Sequence, residues 1–428
     1  MSILFAWGSN ASGALGLGHF SDVCFPSRVT LSATKVSSAE SAHNDRAKSS
    51  IRSKVFTGGC HSVLLNDSND VFSCGDNVDG ALGDPDLRGA RRSSFELVPG
   101  LIGKKIEKVA CGWNFTFAVA TGGTEVYAWG SNKHGQLGIA ASESSPRQNS
   151  KLLNPPSRVH IPGTAQVRVK KIACGWKHTL VLFDNGTVYT SGSNSHGQLG
   201  RDRDERPKCE FAPTKTPVGV QFSTVVCGWI HSAGLGHLES GAWTIFGWGS
   251  NKHNQIGDSS VQEASTISPK SIVSSSDFGT ARVIDVQSGW SHMLALTDEG
   301  NVFSWGRNDY GQCGRSSDGK TALFVQKVLP LNDVVQIACG SEHSAAVTRS
   351  NEVYMWGWNE HGNLGHLHGE RKESLVSKPE PFARIPIKLG FPQNFSCVRT
   401  EGTVTGCTTS YKPEKIVCAG ALNFLSCQ

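Results

Sequence analysis

The sequence predicts an all-β fold, a seven-bladed propeller whose last blade is closed jointly by N- and C-terminal strands. Three observations predict it. A ten-residue motif recurs seven times, a second signature stands upstream of six of the copies, and the chain ends carry complementary half-units. A period of 51 to 67 residues marks an array, solenoid or propeller, and it overrides the two or three domains that 428 residues would otherwise suggest. Residues 1–428 therefore read as a single propeller of seven repeats.

The motif reads WGSNASGALG from Trp7, CGDNVDGALG from Cys74, WGSNKHGQLG from Trp129 and SGSNSHGQLG from Ser191. It continues as WGSNKHNQIG from Trp248, WGRNDYGQCG from Trp305 and WGWNEHGNLG from Trp356. Its second and tenth residues are always Gly, as expected where the backbone takes positive φ or passes close to a neighbour. Its fourth is always Asn, whose side chain is expected to bond the backbone two residues on and hold a turn. The unit reads as a strand end followed by an ordered turn.

The second signature reads GGCHS from Gly58, GWNFT from Gly112, GWKHT from Gly175, GWIHS from Gly228, GWSHM from Gly289 and GSEHS from Gly340. Between signature and motif lie alternating apolar runs about Asp-Asn-Gly or Asp-Glu-Gly, as in TLVLFDNGTVYTSG and HMLALTDEGNVFSWG. That is a hairpin pattern, so each unit is a few short antiparallel strands. The motif at Trp7 has no signature before it, and GALNF from Gly420 has no motif after it. Joined, the two halves complete a seventh blade and leave no open sheet edge. The spacing of 80 from Gly340 to Gly420 leaves room for an insertion at 388–415, which includes NFSCVRTEGTVTGC.

Composition narrows the function. With 41 basic and 36 acidic residues the chain has no strong pull toward nucleic acid or chromatin, and its basic runs are short pairs. No apolar run is long enough to span a bilayer. A cytoplasmic protein is expected, with the nucleus as a second compartment. The 13 cysteines then read as free thiols, and those preceding a signature glycine (Cys111, Cys174, Cys227, Cys339) as small buried residues. The set Cys397, Cys407, Cys418 and Cys427 lacks the paired spacing of a zinc site. GRSSDGKT, from Gly314 to Thr321, matches the phosphate-cradling pattern, but that loop needs a strand before it and a helix after it. Here it is expected to be an exposed loop between blades. The signature histidines His61, His178, His231, His292 and His343 stand one per blade and are expected to make buried hydrogen bonds within each blade. No covalent catalytic constellation, metal or cofactor is expected.

The two signatures resemble the regulator of chromosome condensation repeat, over nearly the whole chain. CGWNFTF, SGWSHMLALT, WGRNDYGQCGR and CGSEHS are similar to the branch of secretion-regulating guanine nucleotide exchange factors. The resemblance implies a propeller that contacts a small GTPase, with exchange activity toward it or a scaffolding role near the exocyst. The family member that acts on Ran carries acidic residues between Gly and His of the signature. Here those places hold Trp113 and Asn114, Trp176 and Lys177, Trp229 and Ile230, and Trp290 and Ser291, with Glu342 the one acidic residue. Trp113, Trp176, Trp229 and Trp290 are expected to meet around one mouth of the shaft. With Lys177 and Glu342 they form the expected partner-binding set. The alternatives are a non-catalytic scaffold and, less favoured, a protein like the plant UV-B photoreceptors. Those carry Arg after the Trp, where this chain has Asn114, Lys177, Ile230 and Ser291.

Overall fold

The computed structural model describes residues 3–30, 53–87, 89–139, 152–164, 166–202, 210–257, 264–316, 321–365, 381–389 and 411–428. Seven four-stranded antiparallel sheets stand around a central shaft. Six are meanders in chain order, such as Ile106–Cys111, Phe115–Ala120, Val126–Ser131 and Leu152–Val159. The first strand of each lines the shaft, and the second is buried throughout except at His237 and Leu238, which end the strand His231–Leu238. The fourth strand lies at the rim. In five blades it carries proline (Pro26, Pro155, Pro213, Pro269 and Pro386), which withholds a donor from the exposed edge. Among the described residues no helix is long and apolar enough to cross a membrane.

The seventh sheet is built from both chain ends, as expected. Its order is Val23–Arg28, Ile3–Gly8, Leu422–Cys427, Pro413–Ala419. Ile3–Gly8 pairs with Leu422–Cys427 over six residues, Ile3 opposite Cys427 and Gly8 opposite Leu422. Of the segment 388–415, Lys388 ends one strand and Pro413–Lys415 begin another, while 390–410 lie outside the described residues.

Apolar clusters lie between sheets. One joins Leu294, Leu296 and Val302 of the fifth blade to Val334, Ile337, Ala346 and Trp356 of the sixth. Each blade therefore needs its neighbour to bury its faces. Polar bonds repeat at the same joint. The first motif residue of each blade donates to a main-chain carbonyl in the motif of the blade before it. Trp129 Nε1 bonds Ala81 O at 2.7 Å, while Trp248, Trp305, Trp356 and Trp7 bond the carbonyls of Gln198, Gln255, Gln312 and Asn363, each at 3.0 Å. Cys74 Sγ reaches Ala14 O at 3.4 Å and Ser191 Oγ reaches Gly135 O at 2.7 Å, so the circuit closes through all seven joints. The five indoles are fully buried, and the bond satisfies the one polar atom each carries.

The motif turn is held differently from the expectation. Each motif Asn accepts, through Oδ1, the N–H five residues on, as from Leu15 to Asn10 (3.0 Å) and from Leu137 to Asn132 (2.9 Å). One side chain thus spans two successive turns, closed by Gly135 N to Asn132 O and Gly138 N to Gly135 O. The second and tenth glycines have positive φ, for example 96° at Gly130 and 71° at Gly138. At the seventh position Asn254, with φ 58°, replaces the usual Gly, a conformation Asn adopts more readily than most residues.

The signature histidines also depart from the expectation, because they bond across blades. Nε2 of His61, His178 and His292 meets the hydroxyl of Thr116, Ser232 and Ser344 in the next blade, at 2.7, 3.0 and 2.9 Å. His231 meets Ser288 at 3.0 Å, and His343 meets Asn423 of the shared blade at 2.7 Å. Burial pulls His61, His178 and His343 down to about 4, and His231 and His292 to about 3. The GRSSDGKT segment joins the third and fourth strands of one blade, not two blades. Gly314 closes the motif turn, Thr321 opens the strand Thr321–Lys327, and 317–320 lie outside the described residues.

Removing the first residues through Gly8 takes away the third strand of the shared blade together with Trp7, and the expected result is loss of the cooperative native transition. Trp7→Ala alone should cost about 3–5 kcal/mol in urea unfolding. An unchanged midpoint in either variant would contradict closure through this blade. Acid should also unfold the ring. The depressed histidines are neutral in the fold and take protons on unfolding, so their stabilisation is complete above about pH 6.5 and is lost as pH falls toward 4. The slope is about 1.4 kcal/mol per histidine per pH unit. Unfolding free energy measured from pH 7 to 5 should show this slope, and His292→Gln should reduce it by about one proton.

Candidate functional site

The connection between first and second strands turns within two residues. Gly112 N donates to Phe115 O at 2.8 Å, and the same bond recurs from Gly175 to His178, Gly228 to His231, Gly289 to His292 and Gly340 to His343. Glycine is required because the ring packs on it. A Cβ on Gly228 would lie 1.9 Å from His231 Cε1. The two intervening residues project at the shaft mouth. The third strand ends at the same face, with Gly130 opposite Phe115, so the motif turns surround that mouth.

Main-chain bonds join these turns around the shaft. Trp176 N donates to Trp229 O (3.3 Å), Trp229 N to Trp290 O (3.1 Å), Trp290 N to Ser341 O (2.9 Å) and Ser341 N to Gly420 O (2.7 Å), and Gly59 N donates to Trp113 O (3.1 Å). Seven equivalent places result. Four consecutive ones hold Trp113, Trp176, Trp229 and Trp290, and the other three hold Ser341, Gly420 and Gly59. The four indoles come together as expected. Trp229 sits among the others, with ring centroids 4.1 Å from Trp290, 4.6 Å from Trp176 and 5.2 Å from Trp113, and Trp113 is 5.7 Å from Trp290 across the opening. All four are half-buried, so each packs on its neighbours and still presents surface. They can lean across because the opposite side is small. A Cβ on Gly59 would lie 2.3 Å from Trp113 Cε3.

Lys177 joins the cluster, its Nζ 3.5 Å from the centroid of Trp176. Glu342 does not. It is 5% exposed, Arg307 Nη1 donates to it at 2.8 Å, and Gln312 Nε2 donates to its other oxygen. Burial pushes its carboxyl up to about 7, against the pull of Arg307 and Gln312. Glu342 therefore braces the turn beneath Arg307 and presents no charge at the mouth.

Sequence reasoning missed a second group on this face. Tyr310 and Trp358 have centroids 6.4 Å apart, His361 stands edge-on to Trp358 at 5.2 Å, and His361 Nδ1 lies 2.7 Å from Asp22 Oδ2. Arg307 covers Tyr310, its guanidinium carbon 5.4 Å from the ring centroid. Arg307, Tyr310, Trp358 and His361 occupy the third and sixth motif positions, which vary between copies while the second and fourth stay Gly and Asn. That variability was the available signal. Below the indoles, a cavity of about 270 Å³ is lined by Cys111, Cys174, Cys227, Cys339 and Cys418, with Ser288. The four signature cysteines thus line the shaft wall, and burial pushes Cys111 up to about 12. Among the described residues no group of three or more His, Cys, Asp or Glu side chains could hold a metal ion. The arrangement offers an apolar, aromatic contact surface.

Gly59→Leu tests the shape of the mouth. The added side chain occupies the space of the Trp113 indole and should expel it, with a red shift in tryptophan emission and little change in the β-sheet circular dichroism. An unshifted spectrum in the folded variant would show that Trp113 does not depend on the small side of the ring.

Comparison with known proteins places this architecture. The model of the RCC1-like domain matches residues 3–400. The chain is 34% identical over 415 residues to the secretion-regulating guanine nucleotide exchange factor of Bos taurus, covering 90% of this chain and 80% of that protein. It is 33% identical over 368 residues to the ultraviolet-B receptor UVR8 of Arabidopsis thaliana, covering 85% and 74%. The structure of Prp20p from Saccharomyces cerevisiae, described with its binding properties to Gsp1p and histones, matches with a TM-score of 0.76 at 22% identity, covering 100% of this chain and 91% of that one. With a family match across nearly the whole chain and the propeller to go with it, this protein belongs to the RCC1-like domain family.

Proposed function

We propose that this protein binds a small GTPase through the four-indole mouth and acts on it as a guanine nucleotide exchange factor. The observation that carries the reading is the cluster of Trp113, Trp176, Trp229 and Trp290, half-buried and collected at one opening of a rigid ring. Aromatic side chains held in a packed cluster lose little entropy on binding and concentrate interface energy. The likeness to an exchange factor over 90% of the chain supports the same reading. Exchange needs no covalent step. A surface that binds the nucleotide-free GTPase more tightly than the nucleotide-bound form weakens nucleotide binding by the same factor. Lys177, its ammonium on Trp176, places one positive charge beside the apolar surface. A role in secretion, with an exocyst component as a second partner, and action in the cytoplasm or nucleus belong to this proposal.

Release of labelled GDP from a panel of small GTPases is the direct test. Acceleration for one of them is expected, and the cognate GTPase should bind at least tenfold more weakly to Trp176→Ala and Trp229→Ala, with melting curves retained. A central interface aromatic typically contributes about 2 kcal/mol or more. Binding without acceleration would replace exchange by scaffolding. Absence of binding across the panel would overturn the reading, and full affinity in a folded double variant would move the contact away from the indoles.

A further inference from the structure

The shaft has a second ring of polar side chains, deeper than the indoles and independent of how their mouth is used. Lys54, Lys108, Lys171 and Lys415 come from four blades, and Thr224, Asp285 and Gln336 from the other three. They stand at one height by register. Lys54, Lys108, Lys171, Thr224, Asp285 and Gln336 each pair with the residue four after the signature His or Phe, as Lys171 with Leu182 and Asp285 with Leu296. Lys415 pairs with Ser426, three after Asn423. In six blades the register shifts immediately before this residue, for example between Val169 and Lys171 and between Pro413 and Lys415. Such a bulge re-aims the side chain that follows it. The innermost strand has only the shaft beside it, and each member of the ring is exposed or half-exposed there.

The charges do not balance. Lys108 is satisfied by Glu107 Oε1 and Val169 O, both at 2.9 Å. Gln336 is spent on the main chain of Ile416, donating and accepting at 3.1 Å. Lys171 gives one of its three donors to Thr224 Oγ1 at 2.9 Å. Among the described residues Lys54, Lys171 and Lys415 make no ion pair, and the one carboxylate of the ring, Asp285, accepts from Gln287 at 3.0 and 3.1 Å. Three ammonium groups therefore face one carboxylate at a single level of a narrow shaft. Burial lowers Lys171 and Lys415, Lys54 adds to the lowering of Lys415, and burial raises Asp285, so the fold bears a cost for each of these charges. Lys171 also lines the 270 Å³ cavity above, with Gln287 and Ser288.

We propose that this ring is a binding site for a compact, multiply charged oxyanion of the phosphate class, held by Lys54, Lys171 and Lys415 with Asp285 limiting its affinity. At this level Lys108 already holds the inner-edge main chain of Val169 and Gln336 that of Ile416, and the charged donors left are the ammonium groups of Lys54, Lys171 and Lys415. They suit phosphate oxygens better than an extended peptide, which needs main-chain partners as well. Calorimetry on the full chain with inorganic tripolyphosphate, against sodium sulfate at equal ionic strength, is the test. Saturable one-to-one binding is expected with tripolyphosphate and not with sulfate. Lys171→Met with Lys415→Met should weaken it at least about thirtyfold, and Asp285→Asn should tighten it at least about threefold by removing the opposing charge. The Asp285 variant decides the matter if the lysine variant does not fold. An equal response to sulfate, no binding at millimolar tripolyphosphate, or affinity unmoved or weakened by Asp285→Asn would each overturn the proposal.

Discussion

The circuit of side-chain donors reaching back to the previous blade's motif carbonyl is the interaction on which the rest of the molecule depends. Trp7, Trp129, Trp248, Trp305 and Trp356 are wholly buried, and each carries one N–H that would be orphaned without that carbonyl. The bond therefore fixes more than an indole. It sets the distance between blades and the height of each motif turn relative to the next. Cys74 and Ser191 make the same reach with shorter side chains, which accounts for the two motif copies that begin without Trp. The signature histidines repeat the arrangement nearer the shaft, again from one blade to the next.

The mouth follows from that geometry. Because seven turns are held at one height, the residue after each signature glycine is presented at one of seven equivalent places, and its size alone decides what fills the opening. Four large and three small residues break the symmetry. Trp113 packs over Gly59, the four indoles gather against one another, and one side of an otherwise uniform ring becomes aromatic. The lower ring obeys the same logic with charge in place of size.

Features carried by repetition were legible in the sequence. The blade count, the shared last blade, the glycine conformations and the gathering of the four Trp all follow from residues that recur at fixed places. What was not legible lies between blades or depends on backbone irregularity. The motif Asn reaches five residues on because two turns are stacked, and a local turn rule gives no sign of the second. The histidine partners lie 52 to 80 positions away at all five joints, so they cannot be seen within one repeat. Glu342 reads as a charge at the mouth because its enclosing partners, Arg307 and Gln312, lie 35 and 30 positions away in the chain. Lys171 and Lys415 fall in plain strand sequence, and only the bulge before each turns it inward.

The blade shared by the two chain ends sets a clock on biosynthesis. Trp7 and Asn423, adjacent in the finished sheet, are separated by 416 positions in the chain. At about 5–20 residues per second, the strand Ile3–Gly8 waits roughly 20 to 80 s between its own emergence and that of its partner Leu422–Cys427. Throughout that interval ILFAWG offers an apolar strand with one edge unsatisfied. The finished ring has no such edge there, but every newly made copy passes through a period in which it does. The hazard to this protein is therefore concentrated in the time before its last strand is made.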